Sequence, residues 1–150
     1  MKPHNQYMSN IPQRFHDLVD GKGATIMFVK ANSYYIFGGY NPIGWKSEFC
    51  YSETPDAYLF SVTDHTDRKP TRCPIKKDKV EFAIKQNNGK YSPAFGEANI
   101  SDLFISFKNL ANSYSKLGNV YKMPKDGGQD GETYLAGRKE DWHVHEVEIW

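Results

Sequence analysis

The sequence predicts a mainly β fold, an antiparallel two-sheet β-sandwich flanked by one or two short helices. Three observations predict it. Short apolar or alternating runs follow one another along the chain, with Gly, Pro, Asn or Asp turn signals between them. Only one segment, near the start, combines helical spacing with a helix-start signature. Aromatic residues make up 15% of the chain, ten of them Tyr, and such side chains suit pleated, half-buried surfaces.

The 150 residues make one domain that can bury a core without staples. Residues 1–10 are polar and aperiodic and read as a flexible arm, leaving 11–150 as the domain. Ser9-Asn10-Ile11-Pro12 starts a helix, with Ser9 or Asn10 as cap and Pro12 in the first turn. Phe15, Leu18 and Val19 would share its apolar face, and Asp20-Gly21-Lys22-Gly23 would stop it. Residues 24–30 are nearly all apolar, which predicts a strand covered on both faces. Asn32-Ser33 turns this strand into an antiparallel partner beginning at Tyr34.

That second strand runs into Gly38-Gly39-Tyr40-Asn41-Pro42-Ile43-Gly44-Trp45. Glycines inside a strand pattern predict a bulge or tight bend. Pro42 has no N–H and would end regular pairing. Trp45 would pin the corner to the core. Gly38, Gly39, Tyr40, Pro42 and Trp45 are therefore read as one structural corner, around which the other strands assemble.

After a polar connector over 46–56, residues 57–62 form a third apolar strand. Residues 72–75 are a weak strand that Pro74 confines to an edge. Over 80–85 the pattern alternates, with Val80, Phe82 and Ile84 inward, and Asn87-Asn88-Gly89 signals a hairpin into a short strand over 92–96. Leu103, Ile105 and Phe107 share the next face. Residues 109–118 read as loop and short strand, 123–131 as a long flexible loop, 133–136 as a strand, and 142–150 as the closing strand.

The order of these pieces resembles the TLDc domain family, the oxidation-resistance type. The resemblance runs from Phe15-His16 and Asp20-Gly21-Lys22-Gly23-Ala24-Thr25-Ile26 through Phe37-Gly38-Gly39-Tyr40-Asn41-Pro42-Ile43-Gly44-Trp45. It continues with Asp56-Ala57-Tyr58-Leu59-Phe60-Ser61, Pro93-Ala94-Phe95-Gly96, Ser115-Lys116-Leu117-Gly118 and Val147-Glu148-Ile149-Trp150. The Gly-Gly-Tyr-Asn-Pro form looks closer to plant, fungal and protist members than to the animal oxidation-resistance proteins. The resemblance implies a two-sheet sandwich and a role in resistance to oxidative stress. It also implies binding to the vacuolar proton-pumping ATPase and regulation of its assembly, with no established catalytic mechanism. Family domains carry a further N-terminal helical segment, where this sequence has a short arm. A shortened member, a fragment or one subunit of a larger assembly would each account for that.

The residues themselves narrow the function. A net charge of +1 gives no electrostatic footprint for nucleic acid. No stretch approaches membrane-spanning length and the N-terminus lacks an apolar signal core, which predicts a cytoplasmic protein that reaches an organelle surface only through a partner. Two cysteines make no disulfide framework, and Cys50 and Cys73 are candidate redox thiols with Lys46 and Arg72 near them in sequence. His143 and His145 lie two apart on the closing strand and would share a face with Val147 and Ile149. As a metal pair they would need further ligands, for which Cys50, Cys73 and His65 are candidates without a spacing signature. A hydrolytic triad can be drawn from Ser52, His65 and Asp67, but no nucleophile elbow surrounds them. Glu53, Asp56, Glu97 and Glu148 are candidate acidic contacts for a protein partner. The reading is a non-enzymatic interaction module without cofactor. Its alternatives are a structural subunit of a larger assembly and a thiol- or metal-dependent antioxidant enzyme.

Overall fold

Two antiparallel sheets and one helix carry the chain in a computed structural model that describes residues 11–64, 66, 68–87, 92–125 and 130–150. The helix α1 spans Ile11–Val19. Strands β1 (Thr25–Ala31), β2 (Tyr35–Asn41), β4 (Tyr58–Thr63), β5 (Thr71–Pro74) and β9 (Val144–Ile149) form a sheet in the order β5-β4-β2-β1-β9. Strands β3 (Cys50–Ser52), β6 (Ile84–Gln86), β7 (Ala94–Phe95) and β8 (Leu103–Phe104) form the second sheet in the order β3-β6-β7-β8. The expected sandwich class is what the structure shows. The arm over 1–10 and the helix cap lie outside the described residues.

Several local expectations are corrected. Phe15 and Val19 are buried on α1, but Leu18 is 63% exposed. Its place in the buried face is taken by His16, whose Nδ1 lies 2.8 Å from Asp20 Oδ1 one turn on, so a satisfied polar ring can be buried there. Strand β1 is not covered on both faces: Met27, Val29 and Ala31 are buried, while Ile26 and Phe28 are half-buried on the outer side. The alternating stretch over 80–85 splits into a 3-10 turn, Val80–Phe82, and the start of β6, because Phe82 N–H turns back to the Lys79 carbonyl. Residues 133–136 form turns and not a strand. Asp130 Oδ1 accepts from the N–H groups of Glu132 and Thr133, and Gly137 N–H closes back on the Thr133 carbonyl. The expected turn residues Asn88 and Gly89, and Gly127 and Gly128 of the 123–131 loop, lie outside the described residues.

The glycines of β2 do not bend it. The strand pairs without interruption through Gly38 and Gly39 on its β1 side, and its irregularity toward β4 falls between Ile36 and Phe37. Gly39 faces inward, where a Cβ would lie 2.6 Å from Phe95 Cζ and 2.9 Å from Leu59 Cδ2. The missing side chain lets Phe95 of the second sheet pack directly onto β2. The corner itself comes later, at residues 41–45. Buried Asn41 accepts the N–H groups of Ile43 and Gly44 and donates to the Gly44 carbonyl. Gly44 has φ +82, and a Cβ there would lie 2.8 Å from the Gly23 carbonyl oxygen. Gln86 on β6 donates to the same Gly44 carbonyl and accepts Lys46 N–H, which ties the corner to the second sheet. Trp45 is 4% exposed and its indole N–H donates to Thr25 Oγ1 at 2.9 Å. It is the expected anchor.

The loops of the second sheet hang on Asp102. Its buried carboxylate accepts four successive backbone N–H groups, from Gly118, Asn119, Val120 and Tyr121, at 2.8–3.0 Å. Gly96, at φ +99, lets it approach, since a Cβ there would lie 2.6 Å from Asp102 Oδ1. Tyr121, so placed, donates its hydroxyl to the Ala83 carbonyl and bridges to Ile75 beside β5. Burial is the largest influence on the Asp102 carboxyl and pushes it up to about 6, although all four amides pull it down.

Two outcomes follow from this geometry. Gly39→Val should destabilise the fold by about 3 kcal/mol or more in urea unfolding, because Phe95 and Leu59 must give way. The folded state holds the Asp102 proton more tightly than the unfolded chain does. The stability this group contributes is therefore fully present below about pH 4 and lost as pH rises through about 6. A carboxyl ¹³C NMR titration should show one Asp changing near pH 6, and a midpoint near 4 would refute the assignment.

Candidate functional site

Strand register sets two rows of side chains across the outer face of the five-stranded sheet. Pro74, Tyr58, Tyr40 and Ile26 make one row, extended by Trp150 through reciprocal backbone hydrogen bonds with Ile26. Arg72, Phe60, Gly38, Phe28 and Glu148 make the next. The outer face of an antiparallel sheet is ordinarily polar. This one is aromatic.

The rings touch both across strands and along β4. Tyr40 and Tyr58 lie with centroids 5.0 Å apart, and Tyr58 and Phe60 6.3 Å apart. Phe28 and Phe60 come from strands that are not neighbours, yet meet edge to face at 5.2 Å. Gly38 stands between them: a Cβ there would collide with the Met27 carbonyl of β1 and would also lie 2.8 Å from Phe60 Cζ. The Arg72 guanidinium stacks 3.8 Å from the Tyr58 ring centroid. Trp150 is 75% exposed, with its indole N–H donating to Glu148 Oε2 at 3.1 Å. Connected apolar surface of this kind marks an interaction site, and Trp, Tyr and Arg are the side chains that dominate protein contacts.

The structure distributes the sequence candidates unevenly. Of the corner residues, Tyr40 joins the outer strip, Gly39 and Trp45 serve the core, Gly38 makes room for the strip, and Pro42 begins the turn. Cys50 and Cys73 lie on different sheets and are not joined to each other by a disulfide. Cys73 is fully buried opposite Leu59, and Cys50 is half-buried at the start of β3. Arg72 is engaged on Tyr58, whereas Lys46 pairs with Glu48 at 3.2 Å and also interacts with Cys50, whose thiol contacts the same Glu48 carboxylate. Glu53 and Asp56 are exposed on the connector before β4, Glu97 follows β7, and Glu148 sits on β9 of the other sheet. Ser52 Oγ accepts from Gln86 Nε2, while His65 and Asp67 lie outside the described residues. No helix among the described residues is long and apolar enough to cross a membrane.

The histidine expectation needs correction. His143 and His145 do not share a buried face with Val147 and Ile149. The β1–β9 register shifts between Lys30 and Ala31, which pair with Glu146 and Val144, so His145 is an extra residue on β9. This bulge resets the alternation. Val147 and Ile149 pack against the core, and both histidines are exposed at a cleft beside the β1–β2 hairpin. No group of three or more His, Cys, Asp or Glu side chains placed to hold a metal occurs among the described residues.

Sequence reasoning missed the outer strip, although its signal was present. Tyr40, Tyr58 and Trp150 all stand at outward positions once pairing is known, and Phe28 sits at the outward parity of β1. It also missed Asp102, for which no local signal exists.

Compared with curated proteins, the chain shows no match. The family model of the TLDc domain matches residues 6–150, a span that includes both sheets, the corner and the outer aromatic strip. The chain belongs to the TLDc domain family.

Proposed function

We propose that this chain is a non-enzymatic protein-interaction module acting in resistance to oxidative stress, and that it docks a partner protein on the outer aromatic face. The family is one associated with oxidative stress, and the resemblance makes the vacuolar proton-pumping ATPase the partner to test first. The reading is supported chiefly by the two outward rows, in which half-buried Tyr40, Tyr58 and Phe28 pack around buried Phe60, with exposed Trp150 at the rim. A purely solvated face would not accumulate these side chains. The reading of a structural subunit in a fixed assembly would use the same face and differs only in the permanence of the contact.

The face can be tested without disturbing the fold. Trp150 is mostly exposed and its pairing with Ile26 is through backbone atoms, so Trp150→Ala should leave the melting temperature within a few degrees of the parent. Combined with Tyr40→Ser, it should weaken binding to the purified peripheral sector of the proton pump by about a hundredfold or more, as expected for loss of central aromatic contacts. A folded double variant that binds like the parent would remove the aromatic face from the account. A parent that does not bind the pump would remove that partner.

A further inference from the structure

The hairpin end of β2, opposite Tyr40, borders a cleft of about 470 Å³ between the β1–β2 tip and the strap over 136–145. That volume lies in the range of small-molecule sites, about 300–1,000 Å³. Its polar edge is supplied by Arg138, His143, His145 and Ser33, and no carboxylate among the described residues lines it. Arg138 and both histidines are exposed, and their side chains make no ion pair or hydrogen bond among the described residues.

The cleft is built rather than incidental. Asn32 fixes the hairpin tip against the strap by donating to the Ala136 carbonyl at 2.6 Å and accepting His143 N–H at 2.9 Å. Ser33 is the centre of a γ-turn, with φ +72 and Tyr34 N–H donating to the Asn32 carbonyl. This conformation is strained for any residue but glycine. Asn32, Gly137 and Asp141 also have positive φ, so backbone strain gathers on the two segments that frame the cleft. A Cβ on Gly137 would collide with the Tyr35 hydroxyl. The β9 bulge then aims both imidazoles at the cleft while the rest of the strand serves the core. The carboxylate acting on Tyr35 beneath is Asp64, and it is neutralised by Arg68.

We propose that this cleft binds the phosphate group of a small phosphorylated molecule. A guanidinium presents paired donors to an oxyanion, and two imidazoles and a hydroxyl add donors from other directions. Donors from the two segments that frame the cleft reach it from different sides and suit a tetrahedral phosphate better than a planar carboxylate. The cleft has room for an organic part beyond the phosphate, so a phosphomonoester fits it better than the free ion.

Amide NMR titrations of the full chain test this, with glycerol 3-phosphate, inorganic phosphate, acetate and vesicles of phosphatidylcholine containing phosphatidic acid as separate probes. The soluble ester should shift Ser33, Arg138, His143 and His145, with acetate at least about tenfold weaker. Response to the vesicles alone would support the same chemistry with a lipid headgroup as its source. Arg138→Gln, at an exposed position, should keep the parent spectrum elsewhere and weaken the ester about tenfold or more. His143→Gln with His145→Gln should do the same. The proposal is overturned if none of the phosphates shifts these amides, if acetate binds as tightly, or if the shifts survive in both variants.

Discussion

Two adjacent glycines on the central strand of the larger sheet govern both of its faces. Side chains alternate along a strand, so Gly38 and Gly39 point to opposite sides. On the inner side Gly39 leaves the space that Phe95 fills, and this contact brings the two sheets together at their centre. On the outer side Gly38 leaves the space over which Phe28 and Phe60 meet. Each glycine gives up its own contacts and some backbone entropy, of order 1 kcal/mol. In return the neighbouring strands supply aromatic contact across a gap that no other residue pair would leave. The consequence is one strand whose inner face builds the fold and whose outer face carries the best candidate for recognition.

Buried polar groups complete the frame by satisfying backbone where the strands stop. Short strands leave long connections, and their N–H and C=O groups need partners. Asn41 and Gln86 share the Gly44 carbonyl and so lock the corner between sheets. Asp102 gathers four consecutive amides of a segment that pairs with the chain after β5 through a single bridge, Tyr121 to Ile75. The charge is costly to bury, which is why burial outweighs the amides in setting its protonation. The four amides offset much of that cost, and the arrangement specifies one loop conformation more than it adds stability.

How much of this was legible in the sequence depends on how local its cause is. The β1, β2 and β4 strands, the β1–β2 hairpin, the edge position of Pro74 and the Trp45 anchor follow from neighbours in sequence, and they hold. Leu18 misled because apolar character outranks His in any simple periodicity, whereas His16 is made burial-compatible by Asp20. Thr133, Tyr134 and Leu135 have strand-like composition, but Asp130 captures the amides of Glu132, Thr133 and Tyr134 into turns. The histidines were misplaced by strict alternation, which one bulge residue resets. Asp102 was illegible because its partners lie 16 to 19 residues away in a loop. The outer strip was half legible: each aromatic was visible, but only the register of β1, β2 and β4 puts them side by side.

The account therefore divides the molecule into a core held by Gly39 and buried polar cages, an outer aromatic face for a partner, and a separate cleft at the hairpin end. Hydroxyl-radical footprinting of the chain, free and bound to the proton-pump peripheral sector, tests this division most directly. The account predicts that Trp150, Tyr40 and Tyr58 lose reactivity on binding, while Phe49 and Tyr51, at the edge of the four-stranded sheet, keep theirs. Protection of Phe49 and Tyr51 with Trp150 and Tyr40 unchanged would contradict it.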